Sequence, residues 1–555
     1  MPRLLTGSLR SPPCTSRTVC RFPHLRPLFS ASSPSQPRRS YASAVPLPLS
    51  HPPPSSYASG PTKSYGQPLP STHPHLLAHG ELTPGIQAKE YEQRRRKLME
   101  NLEDGATVVI AGGNIVYMSQ NIFYRFRQRS NFWYLTGFEE PDSALILQKD
   151  SSSEGYRMTM FVQPKDSYDE LWNGARSGIE GAVEIFGADD AVNSNYFASR
   201  LRSILSTSSG PVYIDLPSHT PTSVARGSSR RSPSRSFLSY LTSSPTSKSE
   251  ADEVLDMLSK RDVRSTEKEV ERLRLIKSDA EVAVMKRAAD ISCAAHSKRE
   301  EFALLSLTPT RSQVMRLAKP GITESALVSH FEHHCSLAGS PRPAYVPVCA
   351  SGKQALTIHY VENNRPCKEG EMVLLDAGCE YGGYASDVTR TFPVSSSFTS
   401  AQRDLYEAVL RVLKHTSSYC TASNSLSLED LHRISVEATR TELRDLGFHG
   451  MRAGDLERVL YPHFVSHPLG VDLHDTRSFG REEKIKAGMV ITIEPGLYVP
   501  PHPNFPKAFH NQVVRLEDEV HVQEEDHIVL SVEAPKEVAD VEAVCRGWRE
   551  EAGEA

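Results

Sequence analysis

Asp376, Asp387, His467, Glu494 and Glu517 stand in LLDAG, SDVTRT, SHPLG, TIEPG and RLEDE, each at the end of an apolar run or just after one. Four carboxylates and one imidazole are hard-to-borderline donors. They suit Mn²⁺, Co²⁺, Fe²⁺ or Zn²⁺ better than a set of thiolates would. Like charges a few ångströms apart cannot all ionise, so a fold that gathers these acids needs opposing charge. Two divalent cations would supply it, with Mn²⁺ the expected metal. The chemistry expected of such a pair is hydrolysis: cations lower the pKa of water from about 15.7 to about 7 and polarise a carbonyl.

Amide hydrolysis also needs a proton carrier, an oxyanion stabiliser and a grip on the substrate. Glu494 can take a proton from water and pass it to the leaving amine. His474 lies seven residues after His467 in HFVSHPLGVDLHD, which also holds His463, and His359 sits in LTIHYVENN. Imidazoles near a developing oxyanion stabilise it electrostatically. Arg515 is two residues before Glu517, on the same face of a strand, where it can orient carboxylates. One Asp or Glu at a strand end is ordinarily a cap or turn residue; the joint arrangement singles out these five. His502 and His510, in a Pro-rich loop, read as surface. His296, His333 and His334 read as helix histidines without a role, and Asp472 and Asp475 as supporting or solvated groups.

Stepping outward, the elements that hold these residues fall into two globular segments. In the first, Glu90–Leu102 reads as an amphipathic helix and Thr107–Ala111 as a buried strand. Asn131–Leu135 and Ser143–Leu147 read as a strand pair across a turn at Gly137–Pro141. Met158–Val162 and Val212–Leu216 are further strands, with a helix between them near Ser194–Leu205. Ser218–Ser249 is Ser/Thr/Pro/Arg-rich and reads as a linker. In the second segment Glu267–Ile276 is a helix, and Ser278-x-x-Glu281 is a capping box opening another that runs to about Lys298. Strands are expected at Met372–Asp376, Val388–Phe392, Met489–Glu494 and Val513–Glu517, and helices at Ala401–Thr416 and Leu428–Leu446. Ligands at the ends of strands in one domain are how a rigid sheet presents donors to a single pocket.

The 555 residues carry 63 basic and 67 acidic side chains, so global charge gives no reason to expect nucleic acid as a partner. Nine cysteines lack any CxxC spacing, which argues against a zinc knuckle or redox dithiol and for a reducing compartment. No apolar run approaches the length of a membrane span. The first 80 residues contain arginines at 3, 10, 17, 21, 26, 38 and 39, and the first acid is Glu81. That acid-free, Arg- and Ser-rich composition is the one expected of a mitochondrial transit peptide, with a disordered basic arm as the alternative.

The order and spacing of the five ligands resemble those of the pita-bread metallopeptidases, which include aminopeptidase P, prolidase and methionine aminopeptidase. HYVENNR, LLDAG, HPLGVDLHD, GMVITIEPGLY and RLEDEV extend the resemblance from about Glu267 to Val532. The resemblance implies that Asp376 chelates one metal, that Asp387 and Glu517 bridge, and that His467 and Glu494 hold the other. It implies catalytic or substrate-binding roles for His359, His463 and His474, and supporting roles for Tyr498 and Arg515. FRQRSNFWYLTGFEEPDSALIL and DELWNGARSG resemble the aminopeptidase P N-terminal domain, which in the family overhangs the site and restricts it to free N-termini. Trp172 and Arg176 then become candidates for substrate or subunit contacts, with a core role for Trp172 as the alternative.

The fold implied is an α+β pita-bread (creatinase/aminopeptidase) catalytic domain over 263–540, preceded by an α/β aminopeptidase P N-terminal domain over 84–217. A transit peptide and basic arm occupy 1–80, a low-complexity linker 218–262, and a C-terminal tail 541–555. Given the presequence, the chain is most similar to the mitochondrial Xaa-Pro aminopeptidase 3-like, intermediate-cleaving peptidases. The activity implied is removal of one N-terminal residue, from Xaa-Pro peptides or from imported proteins; a prolidase and a non-catalytic binding module are the alternatives. Its own Arg39-Ser40-Tyr41-Ala42-Ser43 fits a site where processing would expose Tyr41 for trimming. By resemblance a homodimer or homotetramer is expected. Two departures stand out: Arg299–Gln313 interrupts helix-like sequence, as an exposed loop or an intron translated in frame, and the strand before Arg515 reads NQVV, without the usual glycine.

Overall fold

The computed structural model describes residues 64–215, 248–297 and 314–552. The expected presequence as far as residue 63, the low-complexity stretch from 218 to 247 and the segment from Arg299 to Gln313 lie outside these residues.

The N-terminal unit is built on a six-stranded mixed sheet, in the order Val263–Ser265, Val212–Asp215, Thr107–Ala111, Ala144–Lys149, Tyr156–Val162, Asp190–Asn193. Thr107–Ala111 is buried along its whole length, as a continuous apolar run with helices on both faces requires. Val108 and Ile110 point into a core with Tyr91 and Leu98 of the helix Ala88–Glu100. Val109 and Ala111 point the other way, toward Phe197 and Leu201 of the helix Phe197–Thr207.

The structure departs from the sequence expectation in four places here. Asn131–Leu135 is not a strand: Ser130–Thr136 is a helix, buried from Asn131 to Thr136 and closed by Gly137 at φ 65°. A short apolar run suits either state, and the left-handed glycine that reads as a hairpin turn is equally a helix C-cap. The sheet position beside Ala144–Lys149 is filled instead by Thr107–Ala111 and Tyr156–Val162. The stretch expected as linker to residue 262 is helical over Lys248–Ser259, where Val254 and Leu258, four apart, pack on Phe197 and Leu201. Val263–Ser265 then pairs in parallel with Val212–Asp215, so the N-terminal sheet extends beyond residue 217. Residues 64–80 are not a free arm either. Leu69 and Leu77 are buried, and the Gln67 amide donates to the Gly137 carbonyl at 2.9 Å and accepts from the Glu139 N–H at 2.8 Å.

In the second unit the capping box forms as read. Ser278 N–H donates to Glu281 Oε2 (2.9 Å) and Glu281 N–H to Ser278 Oγ (3.2 Å), opening the helix Asp279–Ser297. Antiparallel strands Val348–Ser351, Met372–Asp376 and Thr389–Pro393 form one sheet, and Val490–Ile493, Asp518–Val522 and His527–Val529 another. Gly496–Val499 pairs with Gln512–Arg515 in regular register; the turn before it uses Asn511 at φ 62°. Helices Ser400–Ser417 and Leu428–Asp445, each with a capping box, cover the sheets. The expected C-terminal tail is the helix Val538–Ala552, whose Val541 and Cys545 are fully buried in the same core. Among the described residues no helix is long and apolar enough to cross a membrane.

The two units meet through packed aromatics and shared charges. Trp133 lies edge-on to Tyr384 at 5.6 Å, and the Tyr384 hydroxyl donates to Glu281 (2.7 Å) while accepting from Arg94 (3.1 Å). Arg274 bridges Asn131 (2.7 Å) and Asp472 (2.6 Å) and contacts Asp475. The core alternative for Trp172 is excluded, because its side chain is 72% exposed.

Candidate metal centre

Sheet geometry brings the four acids and the imidazole together. Asp376 ends the strand Met372–Asp376 and pairs with Thr389, so Asp387, two residues before Thr389, emerges at the same edge. Glu494 directly follows Val490–Ile493, and Glu517 lies between Gln512–Arg515 and Asp518–Val522. His467 is held beside them by an isolated bridge from Pro468 to Ile491 and by its own N–H, which donates to Thr492 Oγ1 (3.1 Å). All five line one cavity of about 680 Å³, together with His359, His463, His474 and Arg515.

Donor atoms of Asp387, His467 and Glu517 lie within 4.8 Å of one another. His467 Nε2 is 3.3 Å from Asp387 and 3.8 Å from Glu494. The other His467 nitrogen, Nδ1, donates to the Pro468 carbonyl at 3.0 Å, which turns Nε2 toward the acids. Arg515 reaches Asp376 (2.5 Å) with one nitrogen and accepts no proton itself; its second donates to Tyr498 Oη (2.6 Å) and its third to Thr389 Oγ1 (3.3 Å). Thr389 in turn donates to Glu517 Oε2 (2.6 Å).

The electrostatics show what this donor set lacks. Burial, reinforced by Asp387 and Asp376, pushes Glu494 up to about 7 although His467 and Arg515 oppose it. Burial and the neighbouring acids hold Glu517 well above its usual range, and burial raises Asp376 despite Arg515. Burial alone would lower His467, but Asp387 and Glu494 outweigh it and raise it to about 9. Arg515 is the sole guanidinium or ammonium paired with the four carboxylates among the described residues. Asp387 is the exception, since His467 outweighs its burial and lowers it, so it is the other three acids that hold protons where no further positive charge stands. Oxygen donors, one oriented imidazole and a charge deficit fit divalent cations.

The remaining histidines divide. His463 is nearly buried, and burial followed by Arg515 lowers it to about 3; its Nδ1 donates to the Phe464 carbonyl (3.0 Å) and its buried Nε2 has no hydrogen-bond partner among the described residues. His474 packs edge-on to His467 at 4.4 Å and is exposed, as is His359. His296 is fully buried away from the cavity, bonded to the Ala377 carbonyl at 3.1 Å, and burial lowers it to about 3. His502 and His510 are half-buried in their loop. Asp475 is fully buried and paired with Arg274 and Lys277, while Asp472 pairs with Arg274 and Arg127.

Three contributors escape a reading by motif. The Tyr345 hydroxyl reaches both Asp376 (2.5 Å) and Asp387 (2.7 Å). It stands in a Pro-flanked loop with no periodic signal. Thr389 lies two residues past Asp387 in SDVTRT, and Glu519 accepts from the Asp387 N–H (2.9 Å) two residues past Glu517. Both carried the same alternation that singled out Arg515.

Residues 283–524 match metallopeptidase family M24, and residues 91–213 match the aminopeptidase P N-terminal domain. Intermediate cleaving peptidase 55 of Saccharomyces cerevisiae is 38% identical over 86% of this chain and 88% of its own length. Xaa-Pro aminopeptidase 3 of Rattus norvegicus is 38% identical over 87% of this chain and 91% of its own. The crystal structure of the yeast peptidase, lacking its N-terminal 58 residues, superposes with a TM-score of 0.71 at 35% identity, covering 84% of this chain and all of that one. With its paired N-terminal and catalytic units, the chain belongs to the M24 metallopeptidases, in the group of the aminopeptidase P and intermediate-cleaving enzymes.

Proposed function

We propose that this chain is an aminopeptidase that hydrolyses the first peptide bond of Xaa-Pro peptides, of processing intermediates of imported proteins, or of both, and that it works in mitochondria. The observation that carries the reading is a buried set of four carboxylates and one oriented imidazole with Arg515 as its sole opposing guanidinium among the described residues. The names borne by its relatives support the substrate class.

Asp376 would hold one divalent ion, His467 and Glu494 the other, and Asp387 and Glu517 both, with Mn²⁺ the favoured metal. Bound cations acidify water and polarise a carbonyl. Glu494 takes the proton from water and delivers it to the departing amine. His463 donates its Nδ1 proton to the Phe464 carbonyl, so its free Nε2 faces the cavity as an acceptor for a substrate N–H. His474 and His359 stand at the exposed side of the cavity, where they can donate to the oxyanion and grip the peptide. Arg515 fixes Asp376 and Tyr498, and Thr389 fixes Glu517. An assembly of two or four copies belongs to the same proposal, supported by exposed Trp172 and by the exposed apolar hairpin Tyr117–Phe123.

Incubating Tyr-Ala-Ser and Xaa-Pro-Xaa tripeptides with the Mn²⁺-loaded chain tests the activity. Release of the first residue is expected; cleavage of dipeptides alone would make it a prolidase. A fluorescent fusion to the first 80 residues should enter mitochondria, and diffuse cytosolic signal would contradict the location.

A further inference from the structure

A second cleft lies against the loop that carries His467 and His474, at the junction of the two units. It shares no lining residue with the metal cavity. Its volume is about 250 Å³, below the roughly 300 Å³ at which drug-sized ligands begin to fit, so only a small molecule can enter. Leu76, Leu82, Phe126, Trp133 and Tyr381 give it an apolar, largely aromatic wall.

Four charged side chains face it: Arg127, Arg342, Glu380 and Glu139. Three of them are already engaged with one another. Arg127 donates to Glu380 (2.6 Å) and to the Val471 carbonyl (2.7 Å), with Asp472 at 3.4 Å. Arg342 also binds Glu380, and donates to the Phe126 carbonyl at 2.8 Å. Glu139 differs. Its side chain is accessible from the cleft, and its one polar side-chain contact is the Trp133 indole N–H at 3.4 Å. Among the described residues no guanidinium or ammonium pairs with it. Burial, with Glu380 nearby, raises its carboxyl above the ordinary range against the Trp133 hydrogen bond and the charge of Arg342.

We propose that this cleft binds a small apolar ammonium, with the protonated amine on Glu139 and an aromatic or branched body against Trp133, Phe126 and Tyr381. An ammonium answers the unpaired carboxylate, and aromatic faces attract its positive charge. An acid or an uncharged molecule of the same shape would gain only the wall contacts.

Calorimetric titration of 2-phenylethylammonium into the full chain, against 2-phenylethanol as the uncharged analogue, tests this. The amine is expected to bind about tenfold more tightly than the alcohol. Glu139→Gln should reduce that preference to within about twofold without lowering the melting temperature, and Leu76→Arg at the exposed rim should reduce it likewise. Glu494→Gln should leave it unchanged. Equal binding of amine and alcohol, or no heat at millimolar amine, overturns the proposal. So does a preference that survives Glu139→Gln and Leu76→Arg but disappears with Glu494→Gln, because the amine would then sit in the metal cavity. None of these outcomes bears on whether the chain hydrolyses peptides.

Discussion

Two groups of acids meet the loop from His463 to Asp475, one through Asp472 and Asp475 on the loop itself and the other through His467, and they are built in opposite ways. Asp475 is fully buried and paired with both Arg274 and Lys277, and Asp472 is shared between Arg274 and Arg127. Around Asp376, Asp387, Glu494 and Glu517 a single guanidinium among the described residues, Arg515, opposes four carboxylates. Burial alone would raise Asp472, yet the arginines hold it below its usual range, whereas burial takes Glu494 up to about 7. The first group fastens the N-terminal unit to the catalytic loop. The second is left short of positive charge, as a site must be if cations are to occupy it. Charge balance, more than the presence of buried acids, separates scaffolding from a metal centre.

The contrast is sharpest at Glu494. Glu494→Gln should lower kcat by about 10³-fold or more, as loss of a proton carrier and ligand requires. The metal-free variant should melt no lower than the metal-free parent, because removing one uncompensated carboxylate relieves repulsion. Retained turnover in peptide hydrolysis assays would remove Glu494 from this role, and a lower metal-free melting temperature would break the comparison.

At the scaffold the signs reverse. Arg274→Met leaves the buried Asp475 with Lys277 alone, at 3.5 Å, and should cost about 3–5 kcal/mol in chemical denaturation. Metal stoichiometry of the folded fraction should be unchanged. A loss below about 1 kcal/mol would mean that the pair contributes no more than a surface salt bridge.

A smaller effect is expected from His474, which touches the site only at its rim. His474→Ala should lower kcat by about 10²-fold. An unchanged kcat, measured at saturating tripeptide, would reject the oxyanion role.

The smallest effect concerns pH. Asp472 has a depressed carboxyl, so its contribution to stability is complete above the ordinary aspartate value of about 3.9 and is lost as pH falls through the folded value. The melting temperature should therefore drop as pH falls below about 4, and drop less in Asp472→Asn. Equal acid sensitivity in parent and variant would detach Asp472 from the arginines.

Much of this is legible in the amino-acid sequence. Strand positions at Met372–Asp376 and Val490–Ile493, and the capping box Ser278–Glu281, follow from periodicity and local chemistry, and so Asp376 and Glu494 could be placed at strand ends. Local pattern failed where tertiary packing decides. Ser130–Thr136 is helical because the neighbouring sheet positions are occupied by other strands, and Lys248–Ser259 orders because Val254 and Leu258 find Phe197. Tyr345 was invisible for a similar reason: its hydroxyl meets Asp376 and Asp387 through a strand register that no local motif encodes.

The most direct test of the charge argument is to titrate divalent metal into the stripped enzyme while following both bound metal and tripeptide hydrolysis. Activity should saturate with two ions bound per chain. Full activity with fewer than two would contradict it.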